Sequence, residues 1–217
     1  VLQDVLAAMQ IAVVKKGGYE ADDILGTLAR LGEKEGMDVT LVSGDRDLLQ
    51  IASDKIKIRI SKTKGGKTET EDYYAKDVLE KYQVTPLQFI ELKALMGDTS
   101  DNIPGVPKVG EKTAIGLMVS YGSIDGIYEH IDEITKKSIK ESLMENRDLA
   151  DISKILATIK TDCELDVTFS DMEIKDFYTK DAYALYQKLE FKNFLTRFSD
   201  DNAQDSELSC DFVKISD

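Results

Sequence analysis

Between residues 11 and 60, short apolar runs alternate with helical patterns, and this order constrains the fold more than any other feature of the chain. Residues 11–14 and 39–43 read as buried strands. Between them, from Ala21 to Gly36, Ile24, Leu25, Leu28 and Leu31 fall on one helical face, with Gly36 as the stop. A short helix is expected over 48–52. Ile56, Ile58 and Ile60 then alternate with Lys57 and Arg59, the pattern of a strand with one charged face, and Gly65-Gly66 makes a hairpin turn. Strand–helix–strand order predicts an α/β fold with a parallel sheet and right-handed crossovers.

After Thr85-Pro86 strand signals become sparse. Helices are predicted over 86–96, 111–119, 123–130, 135–145, 148–161 and 180–189, with one short strand at 165–169. Thr85 is placed as a cap and Pro86 as a first helical residue. The expected organisation is an α/β part over 1–85, a helical part over 86–199, and an acidic linker with the start of a following domain over 200–217. Val1, Leu2, Val5, Leu6 and Met9 open the chain on one helical face without an initiator Met, and 211–217 alternate like a first strand. The chain therefore reads as an excerpt of a longer polypeptide.

Two cysteines, Cys163 and Cys210, make no disulfide framework, so a reducing compartment is expected. No run approaches the ~20 apolar residues of a membrane helix, and nothing resembles a signal peptide. The net charge of −13 argues at first against a phosphate-rich partner. Its distribution reverses that argument. Residues 200–217 carry −5, whereas Lys55, Lys57, Arg59, Lys62, Lys64 and Lys67 form a +6 run without an acid.

Three acidic clusters carry the chemistry. Glu20, Asp22 and Asp23 sit where a strand hands over to a helix; one acid there is an ordinary cap, but three exceed that need. Asp45 and Asp47 follow the strand 39–43, at the carboxyl edge where α/β sheets bind ligands. Asp98 and Asp101 are three apart and share a face if helical. Seven converging carboxylates need a cation among them. Oxygen donors without His or Cys suit Mg²⁺ or Mn²⁺, and two such ions about 4 Å apart can hydrolyse a phosphodiester. The alternative is a set of surface acids and caps that never meet.

Asp101-Asn-Ile-Pro-Gly-Val-Pro-Lys-Val-Gly-Glu-Lys-Thr-Ala114 reads as a helix end, a Gly/Pro turn and a new helix. Gly105 and Gly110 let backbone approach a ligand, and free N–H groups at the following helix start suit a phosphate. Lys108 and Lys112 add charge. Such a hairpin grips duplex backbone without reading bases. An ordinary helix connection is the bland alternative.

Gly-Tyr-Glu-Ala-Asp-Asp23, Asp-Arg-Asp-Leu48, Gly-Asp-Thr-Ser-Asp-Asn-Ile-Pro-Gly-Val106 and Gly-Glu-Lys-Thr-Ala114, in this order, resemble the 5′ nuclease domains of bacterial DNA polymerases I, relatives of the flap endonucleases. The resemblance runs to about residue 199. It implies a PIN-like α/β domain, with its first strand missing, followed by a helical subdomain with a helix–three-turn–helix element. It also implies metal-dependent cleavage of 5′ flaps and RNA primers on duplex DNA, in the bacterial cytoplasm. Glu20, Asp22, Asp45 and Asp47 match core metal ligands and catalytic acids; Asp23, Asp98 and Asp101 match further acids of a two-ion Mg²⁺ or Mn²⁺ site. Gly105, Lys108, Val109, Gly110, Lys112 and Thr113 match the duplex-binding hairpin, where relatives also hold K⁺.

Family members carry an upstream stretch that supplies the first strand, further metal-ligating aspartates and a basic arch. The resemblance therefore implies an impaired fragment and self-association through an open sheet edge. Other readings are a non-catalytic duplex-binding module using the hairpin and the Lys55–Lys67 run, a PIN-type ribonuclease, and a stand-alone 5′ nuclease. His130, and the aromatics Tyr183, Tyr186, Phe191, Phe194 and Phe198, are expected at the surface and in a core, respectively. With the seven acids and the tail set aside, the remaining body is nearly neutral.

Overall fold

The structure is a computed structural model describing residues 1–198; the acidic tail and the strand-like 211–217 lie outside the described residues. In chain order the elements are α1 (Leu2–Ala8), α2 (Ala21–Lys34), β1 (Val39–Ser43), a 3₁₀ turn (Asp47–Ile51), β2 (Ile56–Lys64), β3 (Lys67–Tyr73), α3 (Ala75–Tyr82), α4 (Pro86–Met96) and α5 (Glu111–Tyr121). They continue with α6 (Ile124–Glu129), α7 (Lys137–Glu145), α8 (Arg147–Ala157), a 3₁₀ turn (Phe169–Met172), α9 (Lys180–Lys188) and α10 (Lys192–Leu195). The chain forms two compact units. One is Gly17–Glu164; the other combines Val1–Lys16 with the chain from Leu165.

In the larger unit the strands are ordered β1-β2-β3. β1 runs parallel to β2, pairing Val39 with Ile56 and Ser43 with Ile60. β3 returns antiparallel through Gly65-Gly66, whose φ values of +59° and +77° suit the tight turn glycine permits. The predicted parallel sheet is thus a mixed one. Ile56, Ile58 and Ile60 are 0, 0 and 1% exposed, as their alternation requires.

β1 departs from expectation. Only Leu41 is buried, and Val42 is 64% exposed. It ends the strand order, and among the described residues no strand pairs with its outer edge.

Residues 11–14 form no strand, and neither do 165–169. An apolar run becomes a strand only where a neighbour completes its hydrogen bonds, and neither segment has one among the described residues. The second leads instead to the Phe169–Met172 turn, where Thr168 Oγ1 accepts from Asp171 N.

α3, unpredicted, buries only Val78 and Tyr82. Tyr74 N donates to Asp77 Oδ2 at 2.8 Å to cap its start. At the start of α4, Gln88 N donates to Thr85 Oγ1 and Thr85 N to Gln88 Oε1, at 3.3 and 2.9 Å. This reciprocal cap stabilises the helix by about 1 kcal/mol. One core joins the sheet to the helices: Leu48, Leu49, Ile56 and Ile58 cluster with Leu92, Leu95, Met118, Ile127 and Leu143. Each such side chain contributes roughly 2 kcal/mol on burial.

The basic run is less positive in space than in sequence. Arg59 Nε and Nη2 each donate to the Asp72 carboxylate at 2.6 Å, Lys57 lies 3.5 Å from Asp72, and Lys62 lies 3.4 Å from Glu71. The antiparallel register sets Arg59 against Asp72 and Ile60 against Glu71, so β3 neutralises much of β2. The expected phosphate-binding patch therefore loses most of its support from Lys57, Arg59 and Lys62.

In the smaller unit Val5, Ala182, Tyr186 and Phe198 form a core, but Phe191 and Phe194 remain 41 and 45% exposed. The expected aromatic core is thus partial. His130, exposed at the end of α6, places Nδ1 2.8 Å from Glu133 Oε1.

Candidate metal centre

The acids of the first two clusters meet because of two adjoining turns. Glu20 precedes α2 in extended backbone, and Asp22 and Asp23 occupy its first turn. Asp45 and Asp47 follow the carboxyl end of β1. There Asp45 N donates to Ser43 Oγ at 3.0 Å, and Asp47 N donates to Asp45 Oδ1 at 2.9 Å. The loop is wound tightly enough to aim both acids the same way. Glu20, Asp22, Asp23, Asp45, Asp47 and Asp101 line one cavity of about 210 Å³, walled by Ile103 and residues 156–159. A second cavity, of about 390 Å³, shares Asp45, Asp47 and Asp101 with the first and adds Asp98 and Lys93.

Asp98 and Asp101 do not share a helical face, as the sequence allowed. Asp98 pairs with Ile103 as an isolated bridge, and the chain between them folds as a turn. The outcome is nevertheless proximity. One oxygen from each of Asp47, Asp98 and Asp101 lies within 4.8 Å of the others.

Lys93 is a site residue that sequence patterning passes over. It is 4% exposed, and its Nζ pairs with Asp47, with Asp98 at 2.7 Å and with Asp101 at 3.6 Å. Its one signal is a lone cation between Leu92 and Ala94, in a helix that is apolar around much of its girth. A lysine so placed needs an anion.

The electrostatics follow from this arrangement. Burial, with Asp45, Asp47, Glu20 and Asp23 nearby, pushes the Asp22 carboxyl up to about 6. The Asp22 carboxylate makes no hydrogen bond or ion pair among the described residues. Burial also raises Asp47, against the pull of Lys93. Lys93 and the Ser100 hydroxyl hold Asp98 well below the usual carboxylate range. Burial alone would lower Lys93, but its bonds to Asp47 and Asp98 outweigh that and raise it. An all-oxygen donor set whose most strained carboxylate has no partner fits a hard divalent cation.

Asp23 is tied differently. Its Oδ2 accepts from Glu20 N at 3.1 Å and its Oδ1 from Lys160 N at 2.8 Å. Gln50, 2% exposed, reaches the same wall: Nε2 donates to Ala157 O at 2.8 Å, and Oε1 accepts from Ile159 N at 2.9 Å. Gln50→Leu is expected to cost roughly 2–3 kcal/mol, because a buried carbonyl and a part-buried amide lose their partner; urea denaturation measures it.

The hairpin lies between α4 and α5. Gly105 is buried rather than presented to a ligand: its N donates to Ser153 Oγ at 2.9 Å, and an added Cβ would stand 2.4 Å from Gly97 N. Its lack of a Cβ is thus required by the packing against Gly97, and its amide is taken by Ser153. Val109 is 3% exposed and anchors the turn. Lys108, Gly110 and Lys112 are exposed, and Thr113 is half-buried. Gly110 caps α5 without a side-chain bond. Lys108 and Lys112 make no ion pair among the described residues.

A strand-edge acid cavity joined to a helical half with a glycine-turned hairpin is the arrangement that the resemblance to 5′ nuclease domains implies. Comparison with known proteins agrees. The family description "5′-3′ exonuclease, N-terminal resolvase-like domain" matches residues 1–83, and "5′-3′ exonuclease, C-terminal SAM fold" matches 84–180. The chain belongs to the 5′-3′ exonuclease family. It is 46% identical to DNA polymerase I of Bacillus subtilis over 203 residues, covering 94% of this chain and 23% of that protein.

Among solved structures, T5 5′-exonuclease with bound zinc superposes with a TM-score of 0.56 at 27% identity, covering 86% of this chain and 60% of that one. A bacteriophage T5 flap endonuclease in a pseudo-enzyme-product complex with DNA and metal ions gives 0.56 at 26%, with the same coverages. The chain thus spans about a quarter of the curated relative's length. Among the described residues no helix is long and apolar enough to cross a membrane.

Proposed function

We propose that the chain is the metal-dependent nuclease portion of a DNA polymerase I, cutting 5′ flaps and RNA primers from duplex DNA. The carrying observation is that six of the seven acids singled out in the sequence line one cavity, with the seventh on the cavity adjoining it. Glu20, Asp22, Asp45 and Asp47 would hold divalent ions, Mg²⁺ or Mn²⁺, with Asp98 and Asp101 completing the set; Asp23 would orient the wall rather than bind. Such ions, when bound, supply an activated water and stabilise the leaving oxygen. The carboxylates place them, the Ile103 and Leu156–Ile159 wall limits solvent, and Lys108 and Lys112 grip phosphates beside the α5 start.

The two-domain reading, with its boundary near residue 85, K⁺ at the hairpin, and self-association along β1 belong to the same proposal. Support comes from the T5 structures, which hold metal ions and, in one case, DNA. The test uses a labelled 5′-flap duplex, first in EDTA and then with Mg²⁺. Binding in EDTA followed by slow release of short 5′ products on adding Mg²⁺ is expected. Binding without cleavage would favour the non-catalytic duplex-binding reading. Changing Lys108 and Lys112 to Ala is expected to weaken binding alike on different sequences and to lower the salt slope by about one per lysine.

A further inference from the structure

Four charged side chains, Lys93, Asp47, Asp98 and Asp101, line the 390 Å³ cavity and form a closed set. Lys93 Nζ contacts Asp47, lies 2.7 Å from Asp98 and lies 3.6 Å from Asp101. Those three carboxylates can also converge on one ion. The Lys93 side chain is only 5% exposed, so water screens its charge poorly. An ammonium and a divalent ion cannot share this space at close range without strong repulsion.

We propose that Lys93 is the resident cation of this acid cluster: it holds Asp47, Asp98 and Asp101 together when no divalent ion is bound, and it must withdraw when one enters. The inference rests on the metal reading above. It makes Lys93 a positioning residue and a competitor for the ion, not a catalytic group.

The withdrawal has somewhere to go. The 390 Å³ cavity that Lys93 lines is also bounded by Tyr82, Phe89 and Glu111, and Glu111 forms no ion pair among the described residues. A lysine's four-carbon stem is flexible enough to swing its charge while its root stays packed. Lys93 also explains how three carboxylates, two of them at least half-buried, stay close in the metal-free protein without repelling one another apart. Each ion loaded at this position must therefore break a preformed pair, and weakly held monovalent cations would not repay that cost.

The test measures Mn²⁺ binding to the 217-residue chain by the electron paramagnetic resonance of free Mn²⁺, with Lys93→Met and Lys93→Arg beside it. Lys93→Met is expected to bind the ion at this position roughly tenfold more tightly, and Lys93→Arg to stay near the wild type. A purely structural lysine would give unchanged or weaker affinity in Lys93→Met, and that result would overturn the inference.

A second measurement needs no variant that folds poorly. In ¹⁵N-lysine spectra of the wild type, titration with Mg²⁺ should shift or broaden the Lys93 ammonium signal while leaving most other lysines unmoved. Saturated binding with the Lys93 signal unchanged would also overturn the inference. Failure of any protein to bind Mn²⁺ or Mg²⁺ would instead overturn the metal reading of the site.

Discussion

Replacing Gly105 by Ala is expected to cost about 3–5 kcal/mol or to prevent the hairpin from forming. Gly105 has φ +64°, where a Cβ is strained by about 1 kcal/mol or more. Steric clash costs more than that strain. The new Cβ would stand 2.4 Å from Gly97 N, 2.6 Å from Gly97 Cα and 2.7 Å from Met96 C. All three are backbone atoms at the end of α4, so no side chain can move aside. The shift also threatens the Gly105 N–Ser153 Oγ bond, which would orphan a buried donor. Guanidinium denaturation of Gly105→Ala against Gly110→Ala checks this. Gly110 has open space around its Cβ position, so its variant should lose no more than about 1 kcal/mol.

Asp22→Asn should separate stability from activity. Its carboxyl titrates near 6 in the folded chain, against 3.8 when unperturbed, because it is partly buried among four other acids. A raised carboxyl pKa means that the folded state binds its proton more tightly than the unfolded state does. Below about pH 4 both states are protonated, and the variant should match the wild type. Above about pH 6 the wild type carries a charge the fold disfavours, so the metal-free variant should be more stable. The full shift corresponds to about 3 kcal/mol, and solvent screening of this half-exposed group reduces that to roughly 1–2 kcal/mol. Flap cleavage in Mg²⁺ should meanwhile fall by about 100-fold or more, since a charged donor becomes a neutral one. Thermal melts from about pH 4 to 8 beside cleavage rates check both halves. A variant no more stable near neutral pH in EDTA would refute the electrostatic account.

The sequence makes some parts of this legible and hides others, for physical reasons. β1, β2 and α4 are readable because their signals are local: a short apolar run, β-branched alternation closed by a hairpin Gly-Gly, and the Thr85-Pro86 start. Residues 11–14 and 165–169 mislead because strand formation depends on a neighbour, which a short apolar run does not encode. The acids are visible as clusters. Their counter-charge is not, because Lys93 becomes meaningful only once α4 brings it beneath Asp47 and the Asp98–Asp101 turn. Gly105 stands out in the sequence for one reason and is required by the packing for another. Its spacing suggests an open phosphate cradle, whereas its neighbour Gly97, eight residues earlier, needs it as a packing partner. The basic run on β2 misleads in the same way, since strand pairing sets Asp72 and Glu71 against it.

The hairpin's anchoring has one more consequence. Ile103, Val106 and Val109 are each no more than 4% exposed, and Ser142 and Ser153 fasten the Pro107 carbonyl and the Gly105 amide. Asp101 stands at one end of this bolted stretch, and Lys108 and Gly110 stand at the other. The stretch would therefore act as a ruler: a strand held by its phosphates at the hairpin would be presented to the acids at a set remove. On the function proposed here, the bond to be severed is counted off from the junction, in nucleotides, whatever bases lie between.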